Sequence, residues 1–257
     1  MERFLEMLST SKKELIRLGA IAFWLLVWLI ASLLIGEELF LPSPIKVIQT
    51  LVHLLSEKMF WSSILFSLER VAIGFILSLV MALFFALLSY RYKWFELLIE
   101  PMIKTIKATP VASIVILILV WISSRNLSVI ISMLIVLPVI YTNVLEGLRA
   151  TDKSLLEMAD VYRIKMLKRA RHIYLPSVAP YYLSGMKIAL GLSWKSAIAA
   201  EVIGMPDGSI GERLYEAKVY LSTPDLFAWT LVIIVLAIVF ERIMLRLSEF
   251  IIERVAR

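Results

Sequence analysis

The chain contains no cysteine, which removes disulfides, thiolate metal sites and cysteine nucleophiles at once. Histidine is almost as scarce. His53 and His172 stand alone and far apart, so no histidine cluster exists for metal binding or acid–base chemistry. Charged residues make up only 19% of the chain, below the roughly 25% usual in soluble domains. No glycine-rich phosphate-binding loop ending in Gly-Lys-Ser/Thr occurs, which excludes ATP hydrolysis by that route. H-E-x-x-H is missing too, and no apolar run carries an aspartate near its centre, so a membrane-embedded hydrolase has nothing to work with. What the chain does have is apolar residue, 60% of it, arranged in blocks rather than in alternation. Such blocks define a membrane protein. In that class a net charge of +6 reflects lysine and arginine in cytoplasmic loops.

A membrane helix needs roughly 20 mostly apolar residues. Runs of that kind fall at about 15–35, 62–90, 101–122, 127–148, 179–203 and 226–247. The first follows Lys12, Lys13 and Arg17, as a signal peptide would, but it is long and no small-x-small cleavage site follows. It is expected to remain as an anchor. The third is interrupted by Lys104, Lys107 and Pro110, so it either bends at Pro110 or begins in the membrane interface. Four basic regions fall on one side of this arrangement: Arg3 to Arg17; Arg91 and Lys93; Arg149, Lys153 and the cluster at 163–171; and Arg246, Arg254 and Arg257. The intervening loops are poorer in lysine and arginine. An all-α polytopic protein follows, with six transmembrane helices and both termini in the cytoplasm.

Between the spans, "LPSP" (41–44) precedes Ile45, Ile48, Val52 and Leu55, whose helical spacing predicts a short helix lying on the membrane. The stretch 204–225, rich in glycine and proline, reads as an external lid or docking surface. The segment "EMADVYRIKMLKRARHIYLP" (157–176) differs from everything around it. Residues 154–162 predict one short helix with Asp152 or Ser154 as its cap. Residues 164–174 predict a second, with Lys165, Lys168, Arg169 and His172 on one face and Ile164, Leu167, Ala170 and Tyr174 on the other. No aromatic platform accompanies these charges, so nucleic acid is not an expected partner. Charge alone allows two roles, a loop resting on anionic lipid headgroups or a docking surface for a soluble protein.

Residue order distinguishes them. Glu157 and Ala159, followed at fixed spacing by Ile173, Leu175 and Pro176, resemble the EAA loop of ABC importer permeases, which opens Glu-Ala-Ala and closes Ile-x-Leu-Pro. Met158 replaces the middle alanine, and Arg163 stands where the family's glycine falls. Glycine would permit a left-handed turn between the two short helices; with arginine there, the sequence leaves the turn's geometry open. "SLERVAIGF", "LSWKSAIAAEVIG" and "TPDLFAWTLVIIVLAIVFER" are similar to permeases of the nitrate, sulfonate and taurine branch, the binding-protein-dependent transport system inner membrane components. The resemblance implies one transmembrane permease domain over 1–257 of the type I, MetI-like importer fold, its core at about 60–250 and its EAA loop at 152–176. It further implies a homodimer in the cytoplasmic (inner) membrane of a prokaryote, served by two ABC ATPase subunits and an extracytoplasmic substrate-binding protein. ATP and Mg would be bound by the ATPases, and no cofactor by this chain. Docking would fall to Glu157, Met158, Ala159, Asp160, Tyr162, Arg163, Ile164, Leu175 and Pro176, and the solute would be a small anion. The transmembrane subunit of an energy-coupling-factor transporter is a related alternative, but its Ala-Arg-Gly coupling motifs are not evident. A gradient-driven carrier is the other alternative.

The fifth span carries two patterns. Gly185, Ala189, Ser193 and Ala197 recur every four residues, a ridge that lets another helix approach closely. Lys187, Trp194 and Glu201 recur every seven. A charge in hydrocarbon costs about 2.5–3.5 kcal/mol even on lenient scales, so Lys195 and Glu201 should face protein or water. Trp194, Lys195 and Glu201, with Thr109 and Asn143 from the third and fourth spans, are therefore candidates for a translocation path. Packing and snorkelling to the membrane surfaces are the competing explanations for Trp194, Glu201 and Lys187.

Overall fold

A computed structural model describes residues 2–256, with side chains described from Ile16 to Val255 apart from Arg17. Arg3, Lys12, Lys13, Arg17 and Arg257, which helped to orient the chain, lie outside the described side chains. The described residues are all helical or connecting: α1 (Glu2–Ile35), α2 (Pro44–Leu55), α3 (Lys58–Arg91), α4 (Lys93–Ala108), α5 (Val111–Leu119), α6 (Leu127–Arg149), α7 (Lys153–Val161), α8 (Met166–Arg169), α9 (Leu175–Gly204), α10 (Ile210–Val219) and α11 (Thr223–Ala256).

Four stretches are long and apolar enough to cross a membrane: Leu18–Ile35, Lys58–Arg91, Ser124–Arg149 and Thr223–Val255. The expected third span is not continuous. It consists of α4 and α5, bent by 105° at their junction. Pro110 is the cause, because its ring disfavours the α region for the residue before it. Thr109 is accordingly extended, at φ −82° and ψ 130°, and closes α4 by donating its N–H to the Thr105 carbonyl at 3.0 Å. Counted as one span, the pair brings the total to five. The 30-residue α9 is long enough as well, but its prolines, serines and charges make it too polar to count among the apolar spans.

The chain divides into two compact units. The first, Met1–Phe60 with Leu214–Leu231, contains α1 and α2. Only 6% of the apolar window of α1 is buried, so its surface is suited to lipid. The LPSP segment is tied to α1 by two hydrogen bonds: Trp28 Nε1 donates to the Pro42 carbonyl at 3.0 Å and Ser32 Oγ to the Leu41 carbonyl at 2.9 Å. Ser43 caps α2 by accepting the Lys46 N–H, and Pro44 occupies the helix's opening turn, where a missing N–H costs nothing. The predicted short helix at 45–55 is thus present.

The second unit, Trp61–Arg213 with Val232–Arg257, is built around the pairing of α6 with α9. Gly185, Ala189, Ser193 and Ala197 are all buried on α9. The close approach is real: a Cβ on Gly185 would stand 2.9 Å from the Asn143 side chain of α6. Helix α3 reaches α6 even more closely, because a Cβ on Gly74 would lie 2.3 Å from the Val129 carbonyl oxygen. Ser132 joins all three helices, donating to the Val71 carbonyl at 3.3 Å and sharing a 2.7 Å hydrogen bond with Ser193. Val115 of α5, Leu127 and Ile131 of α6 and Ala200 of α9 form a buried apolar cluster beside this seam.

Candidate functional site

The loop between α6 and α9 begins with a firm cap. The Asp152 carboxylate accepts both the N–H and the hydroxyl of Ser154, each at 2.8 Å, and these bonds hold its pKa below the usual carboxylate range. Helix α7 then presents one buried residue, Ala159, while Glu157, Met158 and Asp160 stay exposed.

Arg163 turns the chain. Its φ of 49° is left-handed, the conformation a glycine would take without cost. Two backbone bonds mark a full Schellman closure of α7: the Ile164 N–H reaches the Ala159 carbonyl at 2.9 Å and the Arg163 N–H reaches that of Asp160 at 3.1 Å. Arg169 completes the structure from the far side of the turn. Its Nη2 donates to the Ala159 carbonyl at 2.8 Å, its Nε to the Ile164 carbonyl at 2.7 Å, and its Nη1 bonds and ion-pairs with the Asp160 carboxylate. One guanidinium therefore grips the last turn of α7, the carbonyl just past the left-handed residue, and an acidic side chain.

The expected two-faced helix over 164–174 is corrected by this arrangement. Lys165 is extended and caps the four-residue α8, and Ala170–Tyr174 forms a π-helical turn that runs straight into α9. Arg169 leaves the basic face to fold back on α7, and Leu167 leaves the apolar face for solvent. Ile164 and Leu175 are half-buried, Ile173 is buried, and Pro176 is exposed in the opening turn of α9. Around the turn, Val161, Tyr162, Met166 and Leu167 are 78%, 76%, 69% and 82% exposed. So dense a group of solvated apolar side chains, ringed by lysine and arginine, has the character of a docking surface.

The path candidates separate into two environments. Trp194 and Glu201 lie inside the packing of the second unit: the Trp194 ring is 5.9 Å from that of Phe240, and Glu201 is fully buried. The Glu201 carboxylate is satisfied there by Ser67 Oγ at 2.7 Å, Ser128 Oγ at 2.8 Å and the Gly211 N–H at 3.2 Å, while Ser67 in turn accepts the Ile210 N–H at 3.0 Å. Lys187 is exposed, so the residues spaced by seven do not share one environment. Asn143 is half-buried and donates to the Val139 carbonyl at 2.8 Å. Thr109 and Lys195, by contrast, line a cavity of about 420 Å³ together with Lys107 and Ser196. Arg169, Lys107 and the serines around Glu201 were missed from sequence. The isolated serines in otherwise apolar α3 and α6 were the available signal for the last of these.

An all-helical, polytopic membrane subunit with a structured, solvent-facing loop between α6 and α9 is the class that this fold and site define. The chain belongs to the family of binding-protein-dependent transport system inner membrane components, whose model matches residues 74–257. It is therefore a multi-pass inner-membrane permease of the ABC transporter type, in the branch that includes sulfonate and nitrate permeases. A putative aliphatic sulfonates transport permease of Bacillus subtilis is 27% identical over 206 residues, covering 79% of this chain and 74% of its own. A nitrate import permease of Synechococcus elongatus is 26% identical over 205 residues, covering 76% and 73%. A formylaminopyrimidine transport permease of Halalkalibacterium halodurans is 27% identical over 187 residues, covering 72% and 74%.

Proposed function

We propose that the chain forms the translocation path of an ABC importer for a small anion and is driven through the 152–176 loop by a separate ATPase subunit. The observation that carries the coupling role is the clamped helix–turn–helix with four apolar side chains held out in solvent. Two permeases, two ATPases and an external substrate-binding protein make up the assembly, and ATP and Mg belong to the ATPases. Counting α9 and the bent α4–α5 pair as spans gives six, so both termini face the cytoplasm along with the basic loop. The anionic cargo is supported by the relatives named for sulfonates and nitrate and by the two lysines of the cavity. Thr109 and Lys195 are the path residues best supported by position. Trp194, Glu201 and Asn143 serve that path by fixing the helices around it.

Glu157→Arg tests the coupling. The exposed carboxylate has no ion-pair partner among the described residues, so reversing its charge should leave the permease in the membrane while the ATPase fails to co-purify or hydrolyses ATP without uptake. Wild-type uptake in this variant overturns the docking role.

A further inference from the structure

Helix α4 lies beside α6 and is tied to it by polar contacts at two levels. Near its start, Glu96 accepts from Arg149 Nη2 at 2.6 Å. Near its end, Lys107 donates to Thr142 Oγ1 at 3.3 Å. A cavity of about 230 Å³ opens between the two helices over this length, and Glu100, Lys104, Tyr141 and Glu146 help to line it. Helix α6 is held on two other sides. Its Tyr141 hydroxyl donates to Ser89 of α3 at 3.0 Å, and its Asn143 packs against Gly185 of α9. The movement that the cavity permits therefore belongs to α4.

Arg149 is the last residue of α6, and Asp152, the cap of α7, follows three positions later. The Glu96–Arg149 pair thus joins α4 to the base of the docking loop. The pair is unequal, for the Glu96 side chain is 12% exposed and that of Arg149 48%. Taking away the partner of a buried charge is ordinarily costly, because the charge left behind is neither solvated nor neutralised. Here each member has a second partner on its own helix. Lys93 already donates to the same Glu96 oxygen at 2.9 Å from three residues away. Arg149 has Glu146 one turn back, at the spacing that sets two side chains next to each other on a helix. Glu146 is exposed and borders the same cavity, and its carboxylate has no partner among the described residues.

Resting on the importer reading above, we propose that Glu96, Arg149 and Glu146 form a releasable latch, with Glu96 a positioning residue for transport. In the closed state seen here, Arg149 bridges to Glu96 and α4 follows the docking loop. In the open state Arg149 turns to Glu146, Lys93 keeps Glu96, and α4 is free of the loop. Neither state orphans a charge, so α4 and the loop part and rejoin with each ATPase cycle by a small helix shift.

The test follows α4 against α9 with spin labels on cysteines at the exposed Leu97 and Lys187, in a chain that has no cysteine of its own. Distances are measured by double electron–electron resonance on the full chain in nanodiscs, alone and with the ATPase bound. In the chain alone, Glu96→Gln should lengthen the distance. Arg149→Lys, which can restore a contact made through one nitrogen, should keep it. With the ATPase bound, the wild type should show the closed distance without nucleotide and the Glu96→Gln distance when trapped with ATP and vanadate. Glu146→Gln is the deciding variant, because that carboxylate bonds nothing in the closed state. Its melting temperature should equal that of the wild type, its trapped complex should keep the closed distance, and stimulated ATP hydrolysis should fall at least threefold. An ion pair that only braces the fold predicts that Glu146→Gln changes nothing, and that result overturns the latch. So does a wild-type distance in Glu96→Gln, or a wild-type distance that ignores nucleotide while the ATPase is bound and active. Failure of any ATPase to bind sinks the importer reading instead, and the latch is then decided by the Glu96→Gln and Arg149→Lys distances in the chain alone.

Discussion

A single guanidinium offsets the absence of the glycine that this turn would otherwise use. A non-glycine residue in the left-handed region costs roughly 1–2 kcal/mol, and Arg163 occupies that region at φ 49°. The three bonds from Arg169 to Ala159, Ile164 and Asp160 offset this cost. Arg169→Ala should therefore lower uptake and the stimulation of ATP hydrolysis severalfold while the chain still reaches the membrane. Adding Arg163→Gly should restore most of that loss, because glycine removes the strain that the clamp counters. A double-mutant cycle on uptake measures the coupling directly; strict additivity of the two effects excludes it. Glu201 makes the opposite case, a residue whose substitution cannot be absorbed. Its two oxygens accept three donors, so Glu201→Gln turns an N–H₂ toward Ser128 or toward Ser67 and the Gly211 N–H, and either way a donor loses its acceptor. A destabilisation of roughly 1–3 kcal/mol is expected, read as a lower melting temperature of the purified permease. Unchanged melting with lost uptake would instead assign Glu201 to the path.

At the level of helices, close approach decides which glycines matter. Gly74→Ala places a methyl group 2.3 Å from the Val129 carbonyl oxygen, a backbone atom that cannot swing aside. The α3–α6 contact should separate, and the variant should be degraded or fail to purify. Gly19→Ala meets nothing within 4 Å and should accumulate at the wild-type level, as seen by immunoblot. The small-residue ridge of α9 was legible because its period of four is a property of one helix. The 105° break was only half legible. Pro110 marks where regular helix must stop, yet the angle depends on what α5 then packs against, namely Leu127, Ile131 and Ala200, residues distant in sequence. The pairing of Glu201 with Ser67 was not legible at all, since 134 residues separate them and neither has a local pattern that names the other. The clamp escaped for a related reason. A helical wheel drawn through 164–174 assumes unbroken helix, and the extended Lys165 breaks it.

Taken whole, the sequence located α3, α6 and α9 within a few residues and the apolar parts of α1 and α11, whose helices run well past the expected start and end, because roughly 20 apolar residues in a row have few alternatives to crossing a membrane. The exception was the stretch in which proline and lysines intervene. Orientation is open to a simple experiment, since the chain has no cysteine to remove. A cysteine at Leu167 should react with an impermeant maleimide only after the cytoplasmic face is opened, and one at Asp207 should react from outside in intact cells. Labelling of both from one side would overturn the six-span arrangement.

The grip of Arg169 on its turn also imposes an order on history. Starting from a glycine at position 163, a change to arginine is strained unless the guanidinium at 169 is already in place, whereas arginine at 169 is harmless beside a glycine. The clamp thus has the character of a permissive substitution, one that lets arginine at 163 be tolerated. Once arginine occupies both positions, neither the clamp nor Asp160 can drift freely, although a return to glycine at 163 would release them. Within this one loop, what a residue is allowed to become depends on a partner six positions away.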